Sequence, residues 1–203
     1  MANADVRKGF IPLQNRDGSP WNGQIRPYFV PSTYATALYI GDPIVKTGTS
    51  NTASAGESNQ YPAGTLPEIN KATAAGGNVI TGVIVGFEVD SDNLSKIYNP
   101  ASTERVVYVC DDPNIIFEIQ GDSDTVVAAT DMGANADLVY THDGDTNTGF
   151  SGAELDVSTI DVTATLQIKI LRLVNREDNE LGINGKYEVL INMSTEVARI
   201  AGI

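Results

Sequence analysis

The chain has 203 residues, with 26 acidic against 13 basic side chains, a formal net charge of −13, one cysteine and one histidine. No run approaches the ~20 apolar residues of a bilayer-spanning helix and no apolar leader opens the chain, so folding in a cytosol without a helical membrane anchor is expected. A surface of this sign is repelled by nucleic acid and by anionic membranes, whose binding needs Lys and Arg to displace counterions. One Cys and one His leave neither an internal disulfide nor a zinc site.

Residues 1–33 read as an extended N-terminal arm. Pro12, Pro20, Pro27 and Pro31 remove backbone donors and fix φ, and Gly9, Gly18 and Gly23 loosen the chain between them, which argues against a helix or a central strand. Arg7, Lys8, Arg16 and Arg26 against Asp5 and Asp17 give the arm a net +2, leaving −15 on the remainder. Arg7, Lys8, Phe10, Trp21, Arg26, Tyr28 and Phe29 are of the types that dominate binding hot spots. They are the expected interface, anchoring the arm on a neighbour.

Residues 34–203 read as a β-rich body, long enough with the arm to bury roughly 70% of the unfolded surface. Ala37–Ile40 and Pro43–Lys46 flank a Gly41-Asp42 turn, and Asn78–Asp90 is a β-branched run with a bulge expected at Gly82 or Gly86. Arg105–Cys110 and Ile115–Gln120 bracket the turn Asp111-Asp112-Pro113-Asn114, and Cys110 falls within an apolar run as a buried thiol. Ser123–Gly133 is the one helix candidate, capped by Asp122 or Asp124. Leu138–Thr141, Thr163–Val174 and Lys186–Met193 complete the strands, the second of them alternating apolar Ala164, Leu166, Ile168 and Ile170 with polar neighbours. Residues 47–77, rich in small polar side chains, read as a projecting loop, and 142–152 as a second polar stretch. The expected class is mainly β, a compact β-barrel or β-sandwich with an extended N-terminal arm and long loops.

Catalytic chemistry finds little support. His142 has no Gly-x-Ser-x-Gly elbow or evident nucleophile, and neither phosphate-loop fingerprint occurs. Asp143, Asp145, Asn147 and Glu154 hold the first, third, fifth and twelfth places of a calcium-loop pattern. Thr148 stands where the sharp-turn glycine belongs, so a solvated acidic loop without a metal is expected. Asp90-Ser91-Asp92-Asn93 reads as turn chemistry.

Tyr39–Val45, Gly82–Phe87, Val107–Asn114 and Phe117–Gln120, followed by Leu155–Ile160, Ala164–Leu173 and Tyr187–Asn192, together resemble the head decoration or cement proteins of tailed bacteriophages. The resemblance spans most of residues 37–192 and rests on ordering and texture, since that family has no catalytic signature to carry over. It implies a structural virion protein with no cofactor, made in the bacterial cytoplasm and seated on the outer capsid surface. Its implied partners are the major capsid protein and sister copies, as homotrimers first and homodimers second. A host-glycan or receptor-binding module and a carboxylate-based hydrolase are the alternatives.

Overall fold

A computed structural model describes residues 3–197, so the first two residues of the expected arm and the last six of the expected body lie outside it. Eleven strands occur among the described residues. They are β1 (Ile11–Asn15), β2 (Arg26–Val30), β3 (Pro43–Ser50), β4 (Pro67–Lys71), β5 (Gly82–Phe87), β6 (Arg105–Cys110), β7 (Ile115–Gln120), β8 (Asn135–Val139), β9 (Glu154–Asp161), β10 (Ile168–Leu173) and β11 (Lys186–Ile191).

Strands β2-β4-β3-β5-β6 close into a barrel, and β1-β7-β11-β10-β8-β9 form a six-stranded sheet. The sheet is antiparallel throughout and curls back on itself, because Asp122 N beyond β7 donates to Leu155 O of β9 at 3.0 Å. The expected Asp111–Asn114 turn is the hinge between the two sheets: Asp112 Oδ1 accepts from Asn114 N at 2.8 Å, carrying β6 of the barrel into β7 of the sheet. Val83 and Cys110 of the barrel meet Phe10, Phe117, Ile119, Ile170 and Tyr187 in one core, and burial pushes the Cys110 thiol up to about 12. A second core of Val30, Leu38, Ile44, Ile69, Ile84 and Val107 fills the barrel. The bulge expected in the glycine-bearing strand is present as a register shift between Ile84 and Gly86 against β6.

The N-terminal segment runs extended, but it is woven into both sheets. β1 is the outer strand beside β7, with Pro12 next to a register shift where the missing donor is tolerated. β2 pairs along its length with β6 and touches β4 at the single pair Phe29↔Glu68, so Pro27 faces no full ladder on that side. Gly9 (φ +64°) and Gly41 (φ +91°) cross backbone to backbone, and Phe10 N donates to Gly41 O at 3.0 Å. A Cβ on Gly9 would lie 2.4 Å from that same oxygen, so neither a side chain nor an ordinary φ fits the crossing.

Three other expectations change. The stretch 47–77 folds back on the barrel instead of projecting: β3 runs on to Ser50, and the buried Asn51 amide donates to Ala53 O and Pro62 O and accepts from Leu66 N. Ala55 and Leu66 then pack on Phe29 and Val106. The helix expected at 123–133 shrinks to one 3₁₀ turn at Ala129–Asp131, since Val127 enters the core and Gly133 N joins Ile170 O of the sheet. The long strand from Thr163 begins only at Ile168. The fully buried Gln167 there donates to Thr73 O and Asn78 O, and Asn192 holds Ala164 O and Leu166 O in a turn.

Candidate functional site

The seven residues expected to form an external interface separate into three places. Phe10, Tyr28 and Phe29 are 1, 3 and 7% exposed and are spent on the chain's own cores, a correction to their reading as anchors on a neighbour. Phe10 meets Phe117 edge to face at 6.0 Å, and Phe29 lies under the 51–66 segment. The aromatic burial that an isolated arm could not supply is supplied by strands far away in sequence. Tyr28 donates its hydroxyl to Asp111 Oδ2 at 2.8 Å, and Arg26, largely exposed, reaches the same oxygen at 3.0 Å. Burial, then the bond to Asp111, pushes the Tyr28 phenol up. Trp21 packs half-buried on the main core. Arg7 and Lys8 line a surface pocket beside the N-terminal segment.

That pocket, of about 500 Å³, lies between the N-terminal segment and the 142–152 loop and is lined by Asp5, Arg7, Lys8, His142, Asp143 and Ser151 among others. Behind it runs a chain of hydrogen bonds. His142 Nδ1 lies 3.2 Å from Glu154 Oε2, Gln120 Nε2 donates to Glu154 Oε1 and Asp5 Oδ1, and Val6 N donates to Gln120 Oε1. Burial raises the Glu154 carboxyl above its ordinary value, and the bonds from His142 and Gln120 temper the rise. The network ties the N-terminal segment to β7 and β9. As catalytic machinery it is incomplete: the Ser151 hydroxyl donates to Asp42 Oδ1 at 2.5 Å and accepts from Ala153 N, so nucleophile and imidazole are not joined.

Asp42 is the other buried node. It is fully enclosed, accepts from Tyr39 N and Ser151, and pairs with Lys71 Nζ at 2.9 Å. Burial raises its carboxyl against the pull of Lys71. The four calcium-pattern residues do not converge. Glu154 turns inward as described, while Asp145 accepts from Asn147 N and the Thr148 hydroxyl within its own turn, which holds its carboxyl low. No group of three or more potential metal-binding side chains occurs among the described residues.

One exposed apolar surface was not legible as a site. Val89, Leu94 and Ile97 are 64, 78 and 40% exposed on the segment joining β5 to β6, and with Phe87 and Ile40 they line a groove of about 210 Å³. Beside it lies a cleft of about 340 Å³ bearing Glu57, Glu88, Asp90 and Glu104. Asp90 Oδ1 accepts from Asp92 N and Asn93 N, the turn chemistry expected there. The available signal was aliphatic residues set singly in a segment rich in Asp, Asn and Ser, where nothing local buries them.

Comparison with known proteins finds no matching family model, no matching curated protein and no matching solved structure.

Proposed function

We propose that this chain is a structural virion protein that binds the outside of a phage capsid and stabilises contacts between capsid subunits. The observation that carries the reading is a strongly acidic double-sheet body on which three exposed aliphatic side chains, Val89, Leu94 and Ile97, line one groove on a single inter-strand segment, the arrangement of a protein-binding surface. Loops tied down by buried Asn51, Gln167 and Asp42 suit a load-bearing module better than an enzyme that must open and close. Partners are the major capsid protein and sister copies, trimeric in the first instance, and the acidic body points away from packaged DNA. The test is to strip the protein from source particles, add it back, and compare particle melting and a particle map with and without it. Failure to rebind, or rebinding only after particle rupture, refutes the reading.

A second reading, a carboxylate-based hydrolase, draws on the four acids around the 340 Å³ cleft. It needs one acid held protonated, whereas Lys96 pulls the Asp90 carboxyl down. Turnover of an oligosaccharide panel that disappears in Glu88→Gln would favour it.

A further inference from the structure

We infer that the groove lined by Phe87, Val89, Leu94 and Ile97 is the docking surface for a basic protein face bearing apolar side chains; the inference rests on the assembly reading above and names its contact.

The groove is held open in advance. Arg105 Nε and Nη2 donate to Glu88 O at 2.9 and 2.7 Å, Nη1 donates to Tyr98 O at 2.9 Å and Nη2 reaches Lys96 O at 3.2 Å, while the guanidinium sits 5.1 Å from the Phe87 ring. Lys96 Nζ clamps Asp90 at 2.6 Å across the same turn. The segment from 88 to 98 is therefore pinned at both ends and in the middle, and its aliphatic side chains point outward from an ordered support. Presenting apolar groups without an ordering cost is what concentrates binding energy at a few residues.

Charge selects the occupant. Glu57, Glu88, Asp90 and Glu104 line the adjoining cleft, which shares Val89, Asp90, Lys96 and Arg105 with the groove. Both cations there are engaged, Lys96 by Asp90 and Arg105 by three backbone carbonyls. The local field is negative, which turns away nucleic acid and anionic bilayers and attracts Lys and Arg. A protein surface with an aliphatic or aromatic knob flanked by basic side chains matches both features.

The probe is the source virus particle stripped of this protein. Burying one such aliphatic side chain is worth roughly tenfold or more in affinity. Leu94→Ser should therefore weaken co-sedimentation by ~10-fold, and Val89→Ser/Leu94→Ser/Ile97→Ser by ~1,000-fold, with unchanged melting because these side chains are exposed in the free protein. Glu88→Lys/Glu104→Lys should also weaken binding and flatten its salt dependence. If the triple variant melts early, Leu94→Asp at the most exposed position gives the same readout. Particle binding by the native chain that neither Leu94→Asp nor the triple variant diminishes overturns the docking surface and leaves the assembly reading standing. No binding by the native chain overturns both.

Discussion

Phe10→Ala separates an arm that grips a neighbour from a strand that belongs to the core. Phe10 is 1% exposed and packs edge to face on Phe117 with the rings 6.0 Å apart and 85° to each other. Truncating a buried Phe costs ~3–5 kcal/mol through lost transfer energy and the cavity left behind. About 0.5–1.5 kcal/mol of this belongs to the ring pair and should appear as coupling in a double-mutant cycle with Phe117→Ala. A domain of ordinary stability, ~5–15 kcal/mol, survives the loss. With a urea slope of ~2–3 kcal/mol/M the unfolding midpoint should fall by about 1–2.5 M at constant slope. Arg16→Ala, on an exposed turn of the same segment, should stay within ~0.5 kcal/mol. An unmoved midpoint for Phe10→Ala together with lost particle binding would refute the packing argument and restore Phe10 as an external anchor.

Deleting residues 2–33 removes β1 and β2, so the barrel opens and circular dichroism should show loss of cooperative melting; a soluble, cooperatively folded remainder would contradict the woven-in strands. Asp42→Ala strands Lys71, Tyr39 N and the Ser151 hydroxyl together and should cost ~3–5 kcal/mol in urea denaturation, where less than ~1 kcal/mol would mean the node is slack. Glu154 has a raised folded value, so the stability it contributes is complete below its unfolded value and declines as pH rises through the folded one. The stability of the native chain relative to Glu154→Gln should fall over that window, and a flat difference would refute burial of the acid. Cys110, with its thiol pushed up to about 12, should resist iodoacetamide at pH ~8 in the native state and react at once in denaturant; rapid native labelling would show the core to be open.

Much of the strand content could be read directly, because alternation and turn chemistry are local. Arg105–Cys110 and Ile115–Gln120 fall where apolar runs bracket Asp111–Asn114, and Asp112 closes that turn locally, its carboxylate accepting from Asn114 N and its carbonyl from Ile115 N. Proline and glycine likewise dictated an extended N-terminal chain. What lay beyond reach were the contacts made at a distance. Phe10 is buried by Phe117, Phe29 by Leu66 and Val106, and Asp42 by Lys71 and Ser151, none of them visible to a window of neighbouring residues. The same holds for Glu154, whose place in a calcium pattern dissolved once β9 turned it toward Gln120 and His142. The groove at Val89, Leu94 and Ile97 follows the same logic in reverse: composition marks these side chains as wanting burial, and only the fold decides that they stay exposed among the described residues.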